Sequence, residues 1–286
     1  MIKYTSYSLI LLVLFSSCAS VLSKTATPIS NSYRDTISFF KGRYGHIVIP
    51  AKVDGVPRKL TFDSGASGCF LPENSIKKSN KKCFVRDIHG KITRNNLGEI
   101  DCLWISKTGY KNAYAVPHTF PAINEVEGLI GFNIIKASNW QISSKMIVVS
   151  HQPFFIQPKV ILPFVERSNI LKLKISLNKT LNNYIIDYGG DYDLELSEKF
   201  YNKYKTSFPS SSIKKSIQKS YGLNGSKDQK VQQLNCDINF EGLQIQNVNV
   251  TVRKGIPNRL GMTFLNRFKN IAINSTNKEM CFSELN

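Results

Sequence analysis

Two short stretches of this chain carry a carboxylate where chemistry could happen: Leu60-Thr-Phe-Asp63-Ser-Gly65-Ala66 and Tyr184-Ile-Ile-Asp187-Tyr-Gly189-Gly190. In each, an aspartate follows apolar residues and stands two residues before a glycine, which lets the backbone turn sharply and come close to another surface. A single Asp-x-Gly would read as a turn, because Asp, Ser and Gly are common turn residues. Two of them at corresponding places in a duplicated unit read differently. A two-fold relation would bring Asp63 and Asp187 face to face, with carboxyl groups within hydrogen-bond reach. Two carboxylates in one site do not both ionise easily. They share a proton, which yields one base and one acid from the same residue type.

The elements that would position them show the duplication. Leu97-Gly-Glu-Ile-Asp-Cys102-Leu-Trp-Ile resembles Gln232-Gln-Leu-Asn-Cys236-Asp-Ile-Asn-Phe, and Ile130-Gly131-Phe resembles Leu260-Gly261-Met. With the aspartate loops, three marks recur in the same order and at similar spacing, so the chain reads as two copies of one unit. The unit is β-rich. Leu171, Leu173, Ile175 and Leu177 alternate with Lys172, Lys174 and Ser176, the period of a half-buried strand. Asp54-Gly55 and Glu241-Gly242 sit between apolar runs as hairpin turns. Short helices are expected after Ser197 and over Phe264–Phe268.

Composition sets outer bounds. The 286 residues suffice for two lobes, and 42% hydrophobic with 20% charged residues excludes wholesale disorder. Four His and six Cys are too scattered for a zinc ribbon or a disulfide scaffold. Lys and Arg outnumber Asp and Glu by 38 to 20, a net charge of +18 that suits an anionic surface. The runs Lys77-Lys-Ser-Asn-Lys-Lys82 and Lys214-Lys215 read as solvated loops, and no basic-aromatic module for nucleic acid is present. Residues 1–17 read as a signal peptide: Lys3, then the short apolar run Leu9–Phe15, then Ser16-Ser17-Cys18. The small residues before Cys18 look like a bacterial lipobox, so the protein is expected to be exported and lipid-anchored at Cys18 in the cell envelope. The alternative is an ordinary secretory signal cut near Ala19.

The chain resembles the bilobal pepsin-like and retropepsin-like aspartyl proteases over about residues 43 to 285. The resemblance lies in the opening strands, hairpin and Asp-Ser-Gly-Ala loop, the Val126-Glu-Gly-Leu-Ile-Gly131-Phe segment, and the closing Leu260-Gly261 segment with its short helix and hairpin. It implies an all-β, two-lobed acid-protease architecture of β-barrels with pseudo-two-fold symmetry and a few short helices. The organisation it implies is a linker over 18–40, an N-terminal lobe over 41–150 with a flap at 83–105, a connection over 151–168, and a C-terminal lobe over 169–286. The activity it implies is that of an aspartic endopeptidase, a monomer acting on a peptide or protein substrate without metal or cofactor. Asp63 and Asp187 would activate a water. Ser64 would brace the two loops, Gly65, Ala66, Gly189, Gly131 and Gly261 would support them, and His89 and Gly90 would lie at the flap.

The second copy departs from that pattern. Tyr188 stands where a hydroxyl residue follows the second aspartate, and Gly190 replaces a hydroxyl residue or Ala. A phenol cannot make the short cross-lobe hydroxyl bond, so a loosened dyad with weak activity is expected, and Tyr188→Thr is expected to leave the fold intact and raise turnover. The competing reading is a catalytically inactive, protease-shaped protein that grips an extended peptide.

Overall fold

The computed structural model of the protein describes residues 25–42, 45–87, 91–120, 125–209, 213–222 and 225–286. The leader, Cys18, His89 and Gly90 lie outside the described residues.

Alternating burial shapes the strands. Ile47–Val53 and Leu171–Leu177 each turn their apolar residues inward and their polar ones outward. Three hairpins close on two-residue turns with positive φ at both positions: Asp54-Gly55, Asn178-Lys179 and Glu241-Gly242. These turns match the right-handed twist of their flanking strands. Glycine occupies the second position in two of the three, where φ is 85° at Gly55 and 93° at Gly242.

The strands form one 11-stranded sheet in the N-terminal half and one 13-stranded sheet that runs from the C-terminal half through Asn139–Ser143 and Ile147–Ser150 to Arg34–Ile37. The duplication holds at the level of pairing. Val56–Phe62, which leads into Asp63, pairs in parallel with Gly128–Ile130, and Thr180–Asp187 pairs in parallel with Arg259–Gly261. A second parallel pair follows in each copy, Cys69–Leu71 with Ala113–Pro117 and Leu194–Ser197 with Leu243–Arg253. Beyond Gly131 and Gly261 the chain enters one-turn helices, Phe132–Ile135 and Met262–Leu265. The second begins two residues earlier than the sequence pattern suggested, because the extended Gly261 caps it directly. The other short helix, Glu198–Tyr204, starts where expected, with the Ser197 hydroxyl accepting from the Phe200 N–H.

Several stretches do more than connect. Within 18–40, Thr27–Pro28 pairs with Thr108–Lys111, and Arg34–Ile37 pairs with Ile147–Ser150, burying Ile37. Within 151–168, Val160–Glu166 pairs with both Leu171–Leu177 and Glu279–Phe282, so this segment joins the two sheet regions. The hairpin expected as the flap is formed by Lys77–Arg86 and Ile92–Ile100, while Leu103–Ile105 leaves it to pair with Ile47–Val53. Both basic runs lie on strands rather than loops, within Lys77–Arg86 and Ile213–Gly222. Their lysines are exposed to solvent, the pairing register shifts between Lys78 and Lys82, and Lys77, Lys78 and Lys81 meet Asp101, Glu73 and Glu99.

One apolar cluster extends through both halves. It contains the Phe62–Trp140 edge contact at 5.2 Å and the group Phe240, Phe264, Phe268 and Phe282, whose rings meet edge-on or tilted. All five described cysteines are free; Cys236 is buried and Cys102 only half-buried, so the two repeat-related cysteines share a position but not an environment.

Candidate active site

Each aspartate loop is held from behind by a glycine at the end of its partner strand, Gly131 just after Ile130 and Gly261 as the last strand residue. A Cβ on Gly131 would stand 2.3 Å from the Gly68 carbonyl oxygen, and one on Gly261 would stand 2.2 Å from the Tyr192 carbonyl oxygen. Only a residue without a side chain allows the loop to seat this closely. The seating bonds match as well: Phe132 N–H donates to the Ala66 carbonyl and Met262 N–H to the Gly190 carbonyl, both at 2.8 Å.

The two loops meet. A Cβ on Gly65 would lie 2.6 Å from Asp187 Oδ1, and one on Gly189 would lie 2.5 Å from Asp63 Cγ. Each glycine is thus packed against the opposing carboxyl group, the close approach that the Asp-x-Gly spacing suggested. Asp63 Oδ1 accepts from the N–H groups of Gly65 (2.9 Å) and Ala66 (3.0 Å), and Asp187 Oδ1 accepts from Gly189 N–H (3.1 Å).

Ser64 is fully buried and spans the junction. Its hydroxyl donates to the Ile186 carbonyl at 2.6 Å and accepts from Tyr188 N–H at 3.2 Å. The reciprocal bond is missing because Tyr188 has no short hydroxyl. Its ring is 1% exposed and lies edge-on to Phe62 at 5.7 Å, so this residue of the second copy fills the core under the first. The expectation that Tyr188 is a replaceable defect at the dyad is therefore corrected: its ring is packing, and threonine would leave a void.

The electrostatics follow from this crowding. Burial, and next the neighbouring Asp187 charge, push the Asp63 carboxyl up to about 7 from 3.8, against the backbone donors of Gly65 and Ala66 and the Arg259 charge. Three residues that the sequence reading did not single out complete the site. The Tyr192 hydroxyl donates to Asp187 Oδ2 at 2.5 Å, Arg259 Nη1 lies 3.5 Å from the same oxygen, and Glu195 holds Arg259 from behind at 3.5 Å. A signal for them existed. Arg259 is a cation inside an apolar strand segment, and it demands a buried partner. Among the described residues, no cluster of His, Cys, Asp and Glu has the makings of a metal site.

No protein-family model matches the chain, and no curated protein sequence matches it. Among solved structures, the aspartic proteinase from Irpex lacteus aligns with a TM-score of 0.56 over 88% of this chain and 98% of its own, at 11% sequence identity. At that identity the likeness is one of fold: the chain has the two-lobed, all-β fold of a pepsin-like aspartic proteinase.

Two outcomes follow from the packing and charge of this site. Tyr188→Thr should lower stability by about 3 kcal/mol through the cavity it leaves. Tyr188→Phe should be neutral or stabilising by about 1 kcal/mol, because the Tyr188 hydroxyl is buried and has no hydrogen-bond partner among the described residues. Denaturant unfolding of the two variants checks both. For Asp63, the folded group binds its proton more tightly than the unfolded one. Its stabilising contribution is full below 3.8 and is lost as pH rises through about 7. Thermal unfolding across that window should therefore show wild type losing about 4 kcal/mol relative to Asp63→Asn.

Proposed function

We propose that this protein is an aspartic endopeptidase in which Asp63 and Asp187 hold a water between them. The ionised carboxylate takes a proton from the water as it attacks the peptide carbonyl, and the protonated one donates to the carbonyl oxygen. The observation that carries this reading is the packing of Gly65 against the Asp187 carboxyl and of Gly189 against Asp63. That arrangement forces two acids into one site, where one proton is shared. It also bears on the binding-protein alternative. Holding two like charges together costs stability, and a cleft used only to grip a peptide has no use for them.

The proposed substrate is an extended peptide or protein segment lying across the junction of the lobes. In this reading the enzyme works as a monomer, exported and held at the envelope by lipid on Cys18; what supports the location is the leader sequence alone.

Initial rates on a pooled peptide substrate, from about pH 3 to about pH 8, test the proposal. Cleavage is expected below neutral pH and should fall as pH rises past about 7, where Asp63 loses the shared proton. Asp63→Asn and Asp187→Asn should each reduce kcat/KM at least about a thousandfold. Cleavage that survives both substitutions contradicts the mechanism, and absence of cleavage at every pH in wild type replaces this reading with the binding-protein one.

A further inference from the structure

The two copies hold their aspartates differently. In the first, the strand before Gly131 pairs Leu129 with Phe70, two apolar residues. At the matching place in the second, Arg259 pairs with Glu195. Gly68 in the first copy, whose carbonyl faces Gly131, corresponds to Tyr192, whose carbonyl faces Gly261. A Cβ on Gly190 would stand 2.2 Å from the Tyr192 ring, so the ring occupies the space that a side chain at 190 would need. The hydroxyl missing at Gly190 is thus supplied by the phenol two residues later.

We infer that Tyr192 and Arg259 are positioning residues that fix Asp187 as the ionised carboxylate of the pair and leave Asp63 to carry the shared proton. The inference rests on the aspartic-peptidase reading and adds to it an assignment of roles. Asp187 would be the base that takes the water proton, and Asp63 the acid that donates to the carbonyl oxygen.

Three observations carry the assignment. First, Asp187 Oδ2 receives a hydroxyl donor at 2.5 Å and a guanidinium at 3.5 Å. Asp63 receives only the two backbone N–H groups on its Oδ1, and no described residue donates to its Oδ2. Donors on a charged acceptor make the stronger hydrogen bonds, so they favour charge on Asp187. Second, the direct ion pairs are complete in this state. Arg253 Nε donates to Glu195 Oε1 at 2.7 Å and Arg259 bridges Glu195 to Asp187, so two partly buried cations face two buried anions. Protonating Asp187 would leave one cation uncompensated away from water, which is costly. Third, both donors keep their form. Burial and the Asp187 charge push the Tyr192 phenol well above its usual range, so it stays a donor. Burial works against the Arg259 charge, but the Tyr192 oxygen, Glu195 and Asp187 outweigh it and raise its pKa. The raised Asp63 carboxyl is consistent with the same division.

Carboxyl carbon NMR on protein labelled with carbon-13 aspartate tests this without requiring cleavage, with Asp63→Asn and Asp187→Asn used to assign the two signals. At about pH 6, the wild-type Asp63 carbon should show the shift of an acid and the Asp187 carbon that of a carboxylate. Tyr192→Phe keeps the ring and removes the donor, and should raise the protonated fraction of Asp187 at a given pH by about tenfold. Arg259→Met should raise it further, and Arg259→Lys should restore most of the wild-type behaviour. A wild-type protein in which Asp187 holds the proton, or a folded Tyr192→Phe protein with an unchanged Asp187 titration, overturns the assignment. If Arg259→Met does not fold, the Tyr192→Phe comparison decides. Failure of the peptidase reading would show separately, as absent cleavage alongside an intact division of the proton.

Discussion

Two carboxyl groups cannot be brought into one site unless the surrounding chain holds them there against their repulsion, and much of this structure reads as the means of doing so. Ser64 ties the first loop to the backbone on either side of Asp187 with bonds of 2.6 and 3.2 Å. Gly131 and Gly261 let each loop seat against its own lobe, and Gly65 and Gly189 let each loop touch the other. The parallel pairings that carry these glycines are repeated in both halves. Strain at the junction is therefore opposed from both sides by sheet, whose ladder hydrogen bonds and buried side chains resist displacement.

Within this symmetry the copies diverge in a compensated way. The second loop carries Tyr188 instead of a short hydroxyl, and gives up the return bond to the first loop. Its ring instead fills the core beside Phe62, so the two halves are joined by packing where they are not joined by a hydrogen bond. Gly190 makes room for Tyr192, and Arg259 with Glu195 replaces the apolar pair Leu129 with Phe70. A polar, charge-balanced wall thus stands behind Asp187. At the corresponding place in the first copy stands an apolar cluster of Phe70, Cys83, Val85, Leu97 and Leu129, with Ala66 of the Asp63 loop packed against it. An acid beside apolar surface prefers its neutral form, and one beside a guanidinium prefers its charge.

The fold and the meeting of the two Asp-x-Gly loops were legible in the sequence because they rest on patterns that repeat: alternating burial, turn residues at positive φ, and two such loops each followed at similar distance by an apolar-Gly segment. What was not legible depends on side chains crossing between copies. Tyr188 reads as a lost hydroxyl in a one-dimensional comparison, and only the fold shows its ring under the opposite loop. Tyr192 lies outside the motif and reaches Asp187 only because Gly190 leaves space. The basic runs read as loops in one dimension because lysine is a poor strand former, yet edge hairpins accept lysines when their cross-strand neighbours are polar. The segments 18–40 and 151–168 looked like connections because prolines and polar residues punctuate them, while single buried residues such as Ile37 and Val160 are enough to seat a short strand.

The central claim is that Asp63 and Asp187 act on one reacting centre. A crystal structure with a peptide bearing a hydroxylated tetrahedral carbon at the scissile position tests it most directly, because such a ligand mimics the attacked carbonyl. The account predicts that the hydroxyl lies between the carboxyl groups, about 3 Å from an oxygen of each, with the peptide extended between the lobes. Carboxyl groups separated by about 6 Å or more, or a ligand bound away from them, would contradict it.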